Sequence, residues 1–161
     1  SLGVCNGCQL LTKLGGIEGG AKLERNISER FESRFTTVKV RKSNSIFFKD
    51  MEDTEFGMWV AHGEGRFTNT ETLYDSQKCL YYSDQGEPAQ QYPLNPNGSE
   101  DSLAGICSRN GRHLAIMPHP ERCFLKWQLP WIPQTYSEIR RSPWQMMFEN
   151  SLKYINKSKK I

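Results

Sequence analysis

The chain opens Ser1-Leu2-Gly3-Val4-Cys5-Asn6-Gly7, and the spacing Gly3-x-Cys5-x-Gly7 restricts what can surround it. A cysteine flanked at this spacing by two residues without side chains describes a nucleophile elbow, the sharp turn by which a strand runs directly into a helix. Close backbone approach at such a turn makes both glycines read as steric requirements. Leu10, Leu11 and Leu14 continue as the apolar stripe of a short helix, and Gly15-Gly16 end it. Only Leu2 and Val4 can belong to the strand before the turn. An elbow with so little strand cannot be positioned, so the chain is expected to be a piece of a longer protein, cut inside a structural element.

Beyond residue 20 the pattern is mixed α and β. Thr36 to Arg41 alternates as a half-buried strand does, Met58 to Ala61 reads as a short buried strand, and His62-Gly63-Glu64-Gly65 reads as a loop. Leu80 to Ser83 is a further strand, followed by a turn over Asp84 to Pro88. The segment Pro93 to Ser99 is almost pure turn chemistry, and Tyr92 to Ser99 reads as a rigid surface loop; a docking role for it, testable at Asn95 and Asn97, is an expectation that rests on its length and on a family resemblance. Ala104 to Ser108 and His113 to Met117 form a hairpin about Asn110-Gly111, a pair that favours a type I′ turn. Pro130 and Pro133 mark an irregular stretch. Ser142-Pro143 starts a helix carrying Trp144, Met147, Phe148 and Leu152 at helical spacing, and residues 157–161 form a small basic tail.

Composition excludes several function classes. At 161 residues the chain fits one domain, and 37 % hydrophobic residues suffice for a modest core. Lys and Arg number 21 against 18 Asp and Glu, interspersed, so no electrostatic footprint for nucleic acid is expected. No stretch approaches the ~20 apolar residues of a membrane span, and no secretory signal is visible. Five scattered cysteines do not form a disulfide framework, which points to a reducing compartment, the cytosol. The sequons at Asn26, Asn97 and Asn156 read as chance triplets.

Three residues could share one chemistry. Cys5 at an elbow would place its sulfur at a helix N-terminus, where N–H groups and the dipole favour thiolate, with the N–H of Asn6 turned to a developing oxyanion. Read alone, Cys5 is equally a buried apolar thiol. Cys8 reads as a packing residue, because no second CxxC completes a zinc site. Of the three histidines, His113 reads as solvent-exposed, His62 as a loop residue for a ligand or backbone, and His119 as a base held between prolines. Glu121 is offset correctly to orient the His119 imidazole, which completes nucleophile, base and orienting acid. Trp127, Trp131 and Trp144 read as packing or interface residues.

The run Gly3-Val-Cys-Asn-Gly-Cys-Gln9 together with His119-Pro-Glu121 resembles the class I, triad-type glutamine amidotransferases. Within that family it is similar to the glutaminase parts of purine-pathway synthetases that turn a formyl amide into an amidine. Arg25-Asn26, Arg30 to Arg34, His62 to Gly65, Tyr92 to Ser99, Met117 to Arg122 and Ser142 to Trp144 carry the narrower likeness, which extends over essentially all 161 residues. The resemblance implies an α/β, flavodoxin-like amidotransferase domain, here incomplete, with a mainly parallel sheet flanked by helices plus β-hairpins. Residues 1–161 would be the C-terminal part of that domain, and the synthetase domains would lie outside the chain.

By the same resemblance Cys5 attacks the side-chain amide of L-glutamine, His119 serves as base and acid, and Glu121 orients it. Gln9 would hold the amino-acid end of the substrate, and His62 and Gly63 would line its pocket, with Asn6 as oxyanion donor. The family builds the other half of its oxyanion hole upstream of the elbow, so the chain by itself is expected to be inactive. Ammonia would pass to a synthetase region of the same parent chain, which would hold ATP and magnesium. No cofactor or metal is expected in this chain. Two other assignments stay open: another cysteine amidohydrolase, and a catalytically inactive amidotransferase-like binding module.

Overall fold

The computed structural model describes residues 1–132, 134 and 137–158. Pro133 and the tail from Lys159 onward, both singled out in the sequence, lie outside the described residues. Among the described residues nine strands are present: β1 (Leu2–Val4), β2 (Lys22–Arg25), β3 (Glu32–Val40), β4 (Glu55–His62), β5 (Glu64–Thr68), β6 (Lys78–Asp84), β7 (Glu87–Pro88), β8 (Leu103–Cys107) and β9 (Leu114–Ile116). The α-helices among the described residues are α1 (Asn6–Lys13) and α2 (Gln145–Ser158). Seven strands form one sheet in the order β1-β9-β8-β6-β3-β4, with β7 on β6, and β2 pairs with β5 in a separate ribbon.

The α/β class holds, but the sheet within this chain is mixed rather than mainly parallel. Only β1 and β9 run parallel, and every other described pair is antiparallel. A parallel pair needs a long crossover, and β1–β9 obtains one because seven strands and helix α1 lie between them. The connection from β8 to β9 is far too short for a crossover and closes as a hairpin. Its turn is not type I′, which requires positive φ at both central residues; among Asn110 and Gly111 only Gly111 has it, at 70°.

Alternation along β9 feeds two cores. Leu114 and Ile116 face a cluster with Phe47, Phe48, Trp144 and Met147, while Ala115 and Met117 face a second with Cys8, Ile17, Phe67 and Leu73. The sheet is thus covered on one side by α2 and on the other by α1 with the β2–β5 ribbon. Trp144, at the foot of α2, is fully buried and donates its indole N–H to the Gly57 carbonyl at 2.7 Å. Leu152, expected on the packed face of α2, is exposed; Met147 and Asn150 occupy that face instead, Asn150 Nδ2 donating to the Phe47 and Lys49 carbonyls.

The segment Tyr92 to Ser99 is not a surface loop in its polar half. Asn95, Asn97 and Ser99 are buried. Asn97 Nδ2 donates to the Gly65 carbonyl at 2.9 Å, and its Oδ1 accepts from the Ser99 hydroxyl at 2.8 Å. Asn95 Nδ2 donates to the Ser99 carbonyl. These amides satisfy the backbone of a loop packed over β5, so Asn95 and Asn97 brace the fold rather than present a docking surface. Burial also removes Asn26 and Asn97 as glycosylation acceptors.

Candidate active site

Val4 stands opposite Ile116 in the β1–β9 pair, and the next residue, Cys5, donates its N–H to the Ile116 carbonyl at 2.8 Å. The chain then turns sharply: Cys5 has φ 51° and ψ −107°, a sterically costly conformation for a residue with a Cβ. It stands at the N-cap of α1, with the Cys5 carbonyl accepting the first helical bond from the Gln9 N–H at 3.1 Å. The two glycines of the elbow are not equivalent. A Cβ on Gly3 would lie 2.4 Å from the Gly7 carbonyl oxygen, whereas a Cβ on Gly7 would meet nothing within 4 Å. Gly3→Ala should therefore force β1 from α1 and destabilise the protein by about 1–3 kcal/mol. Gly7→Ala should leave stability unchanged or raise it by up to about 1 kcal/mol. Denaturant unfolding of the two variants side by side checks the distinction.

Beyond β9 the chain carries Pro118 and His119 across to β4, where the His119 N–H donates to the Trp59 carbonyl at 2.8 Å. A single 3₁₀ turn over Pro120–Arg122 then folds Glu121 back onto the imidazole, with His119 Nδ1 and Glu121 Oε1 2.6 Å apart. The turn is braced from behind. The buried Cys123 thiol donates to the His119 carbonyl at 3.2 Å, and the Ser142 hydroxyl donates to the Cys123 carbonyl at 2.6 Å. Trp59 Nε1 donates to the Gln128 carbonyl at 2.9 Å. None of Trp59, Cys123, Gln128 and Ser142 was legible as part of the site, because they act on the loop's backbone rather than on a ligand.

Electrostatics couples Cys5 to His119. The thiol pKa is lowered first by hydrogen bonding with the His119 imidazole, against the opposing effect of burial, and further by imidazolium charge and the Asn6 N–H. Burial alone would lower the His119 pKa, but hydrogen bonds to Cys5 and Glu121 and the Glu121 charge outweigh it and raise it to about 9. Burial would raise the Glu121 pKa, and the imidazole overrides this and holds it down. The Cys5–His119 contact is loosely aligned: His119 Nε2 is buried without a well-formed partner, and Cys5 Sγ also reaches the Ala61 carbonyl at 3.7 Å. Resting sites commonly hold such contacts loosely. Glu121 orients Nδ1, which leaves Nε2 as the atom turned to sulfur.

Around this trio the expected binding residues fall into two groups. Asn6 and Gln9 line a cleft of about 560 Å³ between α1 and the β2–β5 ribbon, with Lys22, Leu23, Glu24 and Glu64 on its other wall. His62 is not in a loop: it is the last residue of β4, which runs on from Glu55, and only Gly63 separates it from β5. The Gly63 carbonyl accepts the Asn26 N–H at 3.0 Å, and Phe31 packs beside it. His62 is buried, and that burial, with the nearby His119 charge, depresses its pKa to about 4. His113 is half-buried near Glu18 rather than fully exposed. Trp127 and Trp131 are exposed, at 79 % and 72 %, so of Trp127, Trp131 and Trp144 only the last packs in the core.

The family model of the CobB/CobQ-like glutamine amidotransferase domain matches residues 1–155. The chain belongs to that family. Over 98 % of its length this amidotransferase chain is 45 % identical to a phosphoribosylformylglycinamidine synthase of Drosophila melanogaster. It is 46 % identical over 94 % of its length to a probable chloroplastic/mitochondrial phosphoribosylformylglycinamidine synthase of Arabidopsis thaliana. The human phosphoribosylformylglycinamidine synthase is 40 % identical over the same share. The chain spans only 13 %, 12 % and 13 % of these three relatives' own lengths. The solved structure of PurLQS from Thermotoga maritima superposes with a TM-score of 0.72 over 96 % of this chain and 61 % of that one, at 24 % identity, which establishes a shared fold. Among the described residues no helix is long and apolar enough to cross a membrane.

Proposed function

We propose that this chain is the glutaminase part of a phosphoribosylformylglycinamidine synthase. The observation that carries the proposal is the strained elbow cysteine at a helix N-terminus, coupled to a histidine that a carboxylate orients at 2.6 Å. The Cys5 thiolate attacks the carboxamide carbon of an L-glutamine whose amino-acid end is held beside Gln9. The Asn6 N–H stabilises the oxyanion, and the protonated His119 Nε2 delivers its proton to the departing nitrogen. Carbon–nitrogen cleavage releases ammonia and leaves a glutamyl thioester on Cys5. Water attacks that thioester with His119 as base, giving glutamate and restoring the thiol. Glu121 holds the imidazole in the tautomer that both steps need.

The names of the relatives support the rest of the proposal. Ammonia passes to a synthetase region of the same protein, where ATP and its magnesium are held by residues outside this chain. There it converts formylglycinamide ribonucleotide to formylglycinamidine ribonucleotide in purine synthesis. All five cysteines are free, which fits a reducing compartment such as the cytosol.

The test is mass spectrometry of the intact protein after exposure to an electrophilic glutamine analogue. Modification confined to Cys5 and blocked by free glutamine is the expected result. Labelling spread over several cysteines, or none, would overturn the proposal in favour of an inactive amidotransferase-like binding module.

A further inference from the structure

Asn26 directs its backbone N–H and both ends of its side-chain amide at the segment that borders Cys5. Its backbone N–H donates to the Gly63 carbonyl at 3.0 Å, and its Nδ2 donates to the His62 carbonyl at 2.7 Å and to the Arg30 carbonyl at 2.9 Å. With Nδ2 committed to two carbonyls, the amide can stand only one way round, and Oδ1 faces His62 Nδ1 at 3.2 Å. An amide oxygen is purely an acceptor, so the proton of a neutral His62 must be on Nδ1. The other nitrogen, Nε2, then carries a lone pair. It is buried, has no partner, and belongs to a side chain only 3 % exposed.

A buried acceptor left without a donor costs free energy unless something supplies one. His62 follows Ala61, whose carbonyl is 3.7 Å from Cys5 Sγ, and its imidazole senses the charge of His119. The molecule that comes to this spot brings N–H groups, since the carboxamide attacked by Cys5 has two. We infer that Asn26 is a positioning residue that fixes His62 as a neutral acceptor for a substrate carboxamide N–H. This inference rests on the glutaminase reading of the site. An N–H held by His62 Nε2 would turn the nitrogen lone pair that develops during attack toward His119 and its proton.

Neutrality is essential to that role, because a protonated His62 would present a donor to a donor and set a second positive charge beside the His119 imidazolium. The charged groups that face His62 are Glu32 on β3, which would favour its protonation, and His119 after β9, which opposes it. Glu32 is itself engaged by the Ser28 hydroxyl at 2.7 Å and by Arg34. The amide of Asn26 therefore holds the proton on Nδ1 without adding negative charge that would draw a second one.

Asn26→Asp in the intact protein tests this. A carboxylate on Nδ1 stabilises the imidazolium and raises the pH at which His62 becomes neutral. The kcat/KM for ammonia release from glutamine should fall about tenfold or more at pH 6 and recover to within about threefold of wild type at pH 8.5. Wild type should lack this ascending limb. A purely structural role for Asn26 predicts the same loss at every pH, and that result, or no loss, overturns the inference. Alkylation of Cys5 by iodoacetamide, which needs no glutamine, checks that the variant is folded. If Asn26→Asp does not fold, His62→Gln and His62→Leu decide. Glutamine retains an uncharged acceptor and should keep at least about tenfold more activity than leucine, whereas equal losses overturn the inference. A wild-type protein that is alkylated at Cys5 yet releases no ammonia from glutamine would count against the glutaminase reading instead.

Discussion

Replacing Cys5 by alanine in the intact protein is expected to cut ammonia release from glutamine by about 10⁴-fold or more, while product formation from added ammonium salt stays within about twofold. The loss should be that large because no other thiol can substitute. Cys8, less than one turn along α1, is fully buried and its pKa is raised by desolvation. Burial likewise raises the pKa of Cys79, and that of Cys123 to about 12. Cys107 is lowered by a hydrogen bond with Cys79 but has no exposed surface. In the proposed reaction the ammonium route bypasses the thioester altogether. Parallel assays with the two nitrogen sources check the prediction, and glutamine use surviving in Cys5→Ala would remove Cys5 from its role.

His119→Ala should cost about 10³–10⁴-fold in the same assay, and Glu121→Gln at least about tenfold less than that, because the glutamate acts only through the imidazole. The pH profile distinguishes the two carboxylate functions, orientation and charge. The hydrogen bond with Cys5, with the hydrogen bond and charge of Glu121 added to it, raises the His119 pKa to about 9 against burial, and the hydrogen bond and charge of that imidazolium lower the Cys5 pKa. Glutamine at position 121 keeps a hydrogen-bond partner but removes the charge. The His119 pKa then falls toward the ~6.5 of free imidazole, and the Cys5 pKa rises. The active ion pair exists between these two values, so its window narrows from both sides. The acid limb of kcat/KM moves up in pH and the alkaline limb moves down. A loss for Glu121→Gln equal to that for His119→Ala, or a profile of unchanged width, would count against the orienting role.

What could be seen in the sequence was what local chemistry dictates. Gly3, Cys5 and the leucines after them describe strand, turn and helix within one stretch of chain, and His119-Pro-Glu121 carries its own two-residue offset. Alternation marked β3 from Thr36 onward because Thr36, Val38 and Val40 share one buried face. Gly63 and Gly65 made His62 look like a loop residue. β4 nevertheless extends to His62 because its backbone pairs with Glu32 of β3, a partner 30 residues away that local composition does not encode. Gly7 drew the same steric explanation as Gly3, yet only the folded backbone shows which Cβ would collide. Asn26 read as part of a chance sequon and of the Arg25-Asn26 likeness, with no role attached to it. Its hold on Arg30 is local, four residues along the chain, but its hold on His62 and Gly63 is tertiary, as are the contacts by which Trp59 and Ser142 brace the His119 loop.

The parallel pairing of β1 with β9 has a consequence for the unfolded chain. Cys5 and His119 lie near opposite ends of the strand sequence and meet only when that pairing forms, after seven intervening strands have been laid down or bypassed. Contacts of such long sequence separation close late and cost loop entropy before they return any stability. Before the β1–β9 pair exists, Cys5 is one ordinary thiol among five. If Cys5 is the nucleophile proposed above, a chain stalled part-way through folding carries no privileged thiol to misdirect at stray electrophiles, and the reactivity of Cys5 should double as a built-in gauge of how much of the population has reached the native state.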